Sequence, residues 1–377
     1  MRKMMGFVLA GAAAFVLTAC SGNNASQSTE AAATTVPETQ TEAAAETESG
    51  SYTVTDVRGK KIEFDAVPER VATVGKPFPS IYYAIEGATD NIVGCNPSSI
   101  TAYNESVLKD MYPQLENAET DWCTKDSTVN VEELLKLRPD VIFIYSTKDK
   151  EIEKMENAGL KVVALRSAEL DSVKENLQII AAVCQKEERG EQLVQYIDEG
   201  IEEVTSCLAD VSEEDKPTVV ELYSDMNVSV KQYDHWMISS GAKNPAEDLT
   251  GKMAEVDMEQ MLLWNPDIIY ITNFSPYQPE DLYNNTIEGH DWSTVKAVQE
   301  KKVYKYPLGM YRWFPPASDT PLVLKWMAQM NQPELFADVD MEEEVRAYYN
   351  EFYHVELTDE EIDQIFHPAS EASGLSK

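Results

Sequence analysis

An α/β fold of two doubly wound lobes joined by a single long helix is what this 377-residue sequence predicts, from three features. The first is an internal echo: residues 129–144 (VNVEELLKLRPDVIFI) recur as residues 256–271 (VDMEQMLLWNPDIIYI), ungapped, with seven of sixteen positions identical. In each copy a polar residue, Asn130 or Asp257, is placed to cap a short helix whose apolar positions recur at helical spacing. An X-Pro-Asp turn ends that helix, because Pro139 and Pro266 disfavour helical geometry in the residue before them. The β-branched runs 141–144 and 268–271 then read as strands buried on both faces. The second feature is the alternation of such strands with helices, which implies largely parallel sheets. The third is the charged stretch 187–211, free of proline, which as a helix would run for about 35 Å between the two copies.

The elements follow in order. Arg2 and Lys3 precede an apolar run from Met4 to Leu17, too short for an ordinary membrane span and placed as a secretory signal would be. Residues 1–19 are therefore expected to leave as a signal peptide. From Cys20 to Ser51 the chain is mostly Ala, Thr, Ser, Gln and Glu, too poor in apolar surface to offset the entropy of ordering, and reads as a tether. The first lobe is expected over 52–186. Residues 70–75 form its first core strand, 76–80 a loop and 81–86 the beginning of a helix. Strands at 91–95, 141–144 and 161–165 follow, then a helix at 173–184. Residues 187–211 are the interlobe helix and 212–377 the second lobe, with strands at 217–223, 268–271 and 302–307 and closing helices from about residue 321 on.

Composition excludes several functions. A formal charge of −35 argues against nucleic acid or an anionic membrane surface as a partner. After Cys20 four cysteines remain (Cys95, Cys123, Cys184, Cys207), with no CxxC pair and no spacing that assigns a disulfide. Four histidines, no His-rich loop and no HExxH argue against a resident zinc or manganese ion. No GxSxG elbow, phosphate-binding GxxxxGK loop or dinucleotide fingerprint is present, so the chain is not expected to be an enzyme; a lipid-anchored hydrolase is the competing class.

The sequence 17–20 (LTAC) resembles the lipobox of bacterial lipoproteins, which implies a diacylated Cys20 as the mature N-terminus and an extracytoplasmic, membrane-anchored protein. Beyond the tether the chain resembles ABC-transporter substrate-binding lipoproteins of the iron-chelate type, which serve siderophores, haem and cobalamin. The carriers of this resemblance are residues 70–75, the segment 130–144, the run 239–244 (SSGAKN), the run 292–307 (WSTVKAVQEKKVYKYP) and the late segment 326–336. It implies a shallow cleft between two lobes, little hinge motion, and delivery of an intact metal chelate, an iron–siderophore complex first and haem or a corrinoid as alternatives. It also implies a monomer without cofactor or catalytic residues, a permease and its ATPase as partners, and one acidic docking residue on each lobe. By position these are Glu116 (or Glu119) and Glu247.

Physics selects cleft residues independently. Ligands of open parallel sheets bind beyond the carboxyl ends of the strands. In the first lobe those positions hold Lys76 and Phe78, then Tyr145 and Ser146. In the second they hold Tyr223, Asn273 and Phe274, and the run Tyr311, Arg312 and Trp313. Aromatic walls suit a flat or catecholate ligand by stacking, and Lys and Arg suit its carboxylates or phenolates through charge-assisted hydrogen bonds. A sharper expectation attaches to Tyr233, His235 and Trp236, where His235 or Tyr233 would coordinate the metal directly.

Overall fold

The repeated segment folds the same way both times. In the computed structural model, which describes residues 50–167, 170–224, 226–230 and 235–375, Val131–Leu137 and Met258–Trp264 are helices capped by the side chains of Asn130 and Asp257. Each ends on a residue in the left-handed region, Arg138 (φ 47°) and Asn265 (φ 42°), directly before its proline. The aspartate of each Pro-Asp pair then does the same job. Asp140 Oδ2 accepts the backbone N–H groups of Glu69 and Arg70, and Asp267 Oδ2 accepts that of Thr218. Each carboxylate thereby pins the start of the neighbouring strand.

Numbered in chain order, β1 (Tyr52–Thr55) and β2 (Lys61–Phe64) form an antiparallel hairpin. Strands β3 (Val71–Thr73), β4 (Ile92–Cys95), β5 (Val141–Tyr145) and β6 (Val162–Leu165) form a parallel sheet in the order β4-β3-β5-β6. A second sheet, in the order β11-β10-β7-β8-β9, contains β7 (Val219–Ser224), β8 (Asn227–Ser229), β9 (Met253–Glu255), β10 (Ile268–Ile271) and β11 (Val303–Lys305). Strands β7, β10 and β11 run parallel, whereas β8 and β9 pair antiparallel. Only two residues separate β7 from β8, and so short a connection permits no parallel crossover. The repeat strands β5 and β10 are interior in their sheets, which is why their sequences are apolar without alternation.

The long helix is Glu187–Cys207, 21 residues and so about 31 Å, one turn shorter than its sequence suggests. It buries Gly190, Leu193, Ile197, Gly200 and Val204, a stripe at helical spacing. A Cβ on Gly190 would meet Ala181 of helix Leu170–Cys184, and one on Gly200 would meet Pro321 of helix Thr320–Asn331. The two glycines therefore let one helix approach an element of each lobe closely. Arg189 reinforces the junction: its Nε donates to Ala84 O (3.0 Å), its Nη2 to Phe352 O, and its guanidinium lies 5.0 Å from the Phe352 ring. One hydrophobic cluster runs from Val71 and Phe143 through Leu193 and Ile197 to Val219 and Tyr270. The chain end crosses back as well, Gln364 Nε2 donating to Glu105 O (3.3 Å). A shared core and these ties connect the two lobes.

One local expectation changes. Residues 78–80 are not loop but the first turn of helix Phe78–Glu86. The prolines Pro77 and Pro79 that suggested a loop sit where a helix tolerates them, ahead of the first intrahelical N–H bonds.

Candidate ligand-binding site

A cleft of about 270 Å³ opens where the carboxyl ends of the two sheets face each other. From the first lobe it is lined by Lys76, three residues past β3, by Tyr145 at the end of β5, and by Thr147 and Ser167. The second lobe contributes Tyr223 from the end of β7, Phe274 past β10, His235, Lys252, and the loop past β11 with Tyr311, Phe314 and Pro316. Tyr223 and Phe274 stack at 4.9 Å, and Phe314 meets both edge-on at 5.5 and 6.0 Å. This three-ring wall is held in place from behind, since buried Trp236 donates its Nε1–H to Phe314 O at 2.6 Å.

The electrostatics of the cleft oppose those of the chain as a whole. Among the described residues no carboxylate lines it. Arg312 is 2% exposed, stacked on Phe274 (4.6 Å) and Tyr311 (5.3 Å), rings that themselves line the cleft. All three of its nitrogens are held by neutral oxygens: Nε by Asn273 O (3.0 Å), Nη1 by the Tyr311 hydroxyl (2.8 Å), Nη2 by Ala372 O. Among the described residues neither Arg312 nor Lys76 belongs to an ion pair. Burial pushes the Lys76 ammonium pKa down, and the positive charge of Arg312 pushes it the same way. Burial also drives the His235 imidazole down to about 4, so it is neutral at physiological pH, and its buried Nε2 has no hydrogen-bond partner among the described residues.

The structure thus brings together Lys76, Tyr145, Tyr223, His235, Phe274 and Tyr311 in the cleft, with Arg312 behind its wall. Other sequence candidates lie elsewhere. Phe78 is fully buried, its ring backing Tyr145 at 4.7 Å and filling the space above Gly75. Ser146 spends its N–H on Leu165 O, and the next residue, Thr147, lines the cleft instead. Asn273 is buried and donates to Tyr306 O and Pro307 O, bracing the approach to the 311–316 loop. Trp313 packs in the core against Trp326 and Phe366. Glu116 and Glu247 are exposed on the surface. Tyr233 and Cys20 lie outside the described residues. Ser167 was within reach of the strand-end rule, two residues past β6; Lys252 was not, because nothing in the sequence announces the β8–β9 pair.

Residues 71–308, more than half of the chain, match the periplasmic binding protein family. The chain belongs to that family. A periplasmic solute-binding protein from Veillonella parvula is 33% identical, with a TM-score of 0.79 over 84% of this chain and 97% of its own. The molybdate-binding protein MolA of Haemophilus influenzae is 27% identical over 290 residues, 71% of this chain and 81% of its own. CeuE of Helicobacter pylori, solved as a Ni–His complex, shares the fold at 22% identity, with a TM-score of 0.68 over 84% of this chain and 99% of its own. The protein is accordingly the extracytoplasmic substrate-binding component of an ABC importer, serving a permease and its ATPase, and not an enzyme. Among the described residues no helix is long and apolar enough to cross a membrane.

Proposed function

We propose that this binding protein captures an anionic metal chelate, an iron(III)–siderophore complex, between its lobes. One observation carries the reading: among the described residues a buried Arg312 without a carboxylate partner faces, across aromatic rings, a Lys76 that belongs to no ion pair either, and no acidic side chain lines the cleft between them. A buried cation left uncompensated is costly, and an anion entering the cleft would supply the missing charge. The Tyr223–Phe274–Phe314 wall offers stacking to catecholate rings, which a small inorganic anion would not use. The neutral His235 imidazole, with Nε2 unpartnered, is suited to an iron coordination position that a chelator leaves open.

A bare tetrahedral oxyanion is the second reading, supported by the relation to MolA and by the modest cleft volume. Thermal shift and calorimetry against the iron(III) complex of a tris-catecholate chelator, sodium molybdate, haemin and cyanocobalamin separate the readings. Stabilisation by the ferric complex that Lys76→Glu abolishes supports the first. A response to molybdate alone establishes the second, and one to haemin or cyanocobalamin moves the ligand to those classes.

The remaining expectations become part of the same proposal. Residues 1–19 are removed and Cys20 is acylated, anchoring a monomer through the tether 20–51; globomycin-sensitive processing and detergent partitioning lost in Cys20→Ser test this. The lobes are 52–186 and 212–377 about the helix region 187–211, and limited proteolysis should cut ahead of residue 52 before it cuts between lobes. Glu116 (or Glu119) and Glu247 dock the permease, and charge reversal at either site that leaves transport intact would reject it.

A further inference from the structure

We infer that Lys305 is a positioning residue for the cleft: its buried ammonium is the post around which the loop 272–277 folds, and it sets the place of Phe274 and Arg312 without touching ligand. The inference rests on the cleft being the binding site. Lys305 ends β11 and is 7% exposed. Its Nζ donates to Ser275 O (2.7 Å), Tyr277 O (2.8 Å) and Thr272 O (3.1 Å). Three carbonyls match the three donors of an ammonium. The chain between these carbonyls must curl around Nζ, and that curl turns one of the carbonyls that Lys305 leaves free, Asn273 O, to Arg312 Nε (3.0 Å).

The consequences reach the cleft through one residue. Phe274 lies inside the curl, and its ring is both a face of the cleft wall and the surface on which the Arg312 guanidinium lies at 4.6 Å. Two cations therefore hold one loop: Lys305 through the carbonyls of residues 272, 275 and 277, Arg312 through that of residue 273. Without the ammonium, three converging carbonyl dipoles would be left facing one another in a buried space, and the loop would have to open to hydrate them. An uncharged side chain of similar length fills the volume but not this role.

Chemical rescue tests the inference. The stem of Lys305 lines a surface crevice beside Tyr304 and Trp326, which gives a small amine access to the space vacated in Lys305→Ala. Hydrogen–deuterium exchange of Lys305→Ala is measured alone and with propylammonium or 1-propanol; Lys305→Met, which leaves no space for an amine, is measured alone in case the smaller side chain fails to fold. The expected result is exchange of the 272–277 amides faster by at least about tenfold, recovered by propylammonium and not by propanol. Dissociation constants for the ferric tris-catecholate and molybdate probes should weaken by a similar factor and recover with the same selectivity. Loop exchange and affinity that stay at the wild-type level in a folded variant overturn the inference, as does recovery by propanol to the same extent. If wild-type protein binds neither probe, the ligand reading fails, while the exchange experiment still decides whether Lys305 holds the loop.

Discussion

Replacing Asp319 by Asn should make the protein more stable at neutral pH and leave it unchanged in acid. Asp319 is 2% exposed, sits at the N-terminus of helix Thr320–Asn331 and accepts the backbone N–H of Met310 at 3.2 Å, so it braces the loop that carries Tyr311 and Arg312. Burial raises its carboxyl pKa from 3.8 to about 6. A folded-state value above the unfolded one means a contribution to stability that is fully present below about pH 3.8 and lost as pH rises through about 6. A shift of about two units corresponds to roughly 3 kcal/mol across that window. The Asn side chain keeps the shape and, with its oxygen turned to Met310, the hydrogen bond, but carries no charge to bury. Urea denaturation of both proteins, free of ligand, at pH 4, 5, 6 and 7.5 measures the difference. The variant's advantage should grow from near zero at pH 4 to about 3 kcal/mol at pH 7.5. A difference that stays constant over that range would show that Asp319 does not titrate as its burial requires.

Three further outcomes follow from packing and coordination. A Cβ on Gly200 would lie 2.4 Å from Pro321 Cβ, about 1 Å inside ordinary carbon contact, so Gly200→Ala should cost about 1–3 kcal/mol despite the better helix propensity of alanine; a melting temperature at or above wild type would refute the close approach. Asp140→Ala and Asp267→Ala should each destabilise by about 1–3 kcal/mol, because each leaves strand-start N–H groups without their acceptor; unfolding curves superimposable on wild type would make the Pro-Asp pair a mere turn. His235→Ala should weaken the ferric probe and leave molybdate affinity unchanged, and calorimetry showing equal losses for both would rule out coordination by the imidazole.

The fold was legible because its grammar is local. The echo of residues 129–144 in 256–271 carries helix caps, a proline stop and an apolar strand, all within sixteen residues, and each part folds as those rules require. The antiparallel pair β8–β9 was not legible, since the segments are three residues each and mostly polar or half-buried. In the cleft, the strand-end rule found Lys76, Tyr145, Tyr223, Phe274 and Tyr311, for these follow sheet order. It failed where side-chain direction decides. Phe78, the first residue of its helix, points to the core, and Asn273 turns its amide to the backbone of Tyr306 while its neighbour Phe274 faces ligand space. Arg312 is the instructive case. Its position was readable, but that among the described residues its nitrogens meet only neutral oxygens depends on Ala372, sixty residues away, and no local pattern encodes that.

The opposition between a chain of formal charge −35 and a cleft lined by Lys76 and Lys252, with Arg312 behind it, has a kinetic consequence. At low ionic strength the Debye length is about 30 Å, so an approaching anion meets the repulsion of the whole surface before it meets the cleft. At about 0.15 M it shrinks to about 8 Å, and only the charges around the cleft remain in range. The association rate of an anionic chelate should therefore rise with added salt, the reverse of the usual behaviour of an electrostatically steered pair. The local attraction acts at contact in a partly desolvated site and is screened far less, so the dissociation rate should change little. Stopped-flow binding of the ferric tris-catecholate complex between 10 and 150 mM NaCl reads both constants. Association that slows as salt is added would mean that the positive cleft reaches beyond the acidic surface, and that net charge is the wrong measure of what an incoming ligand feels.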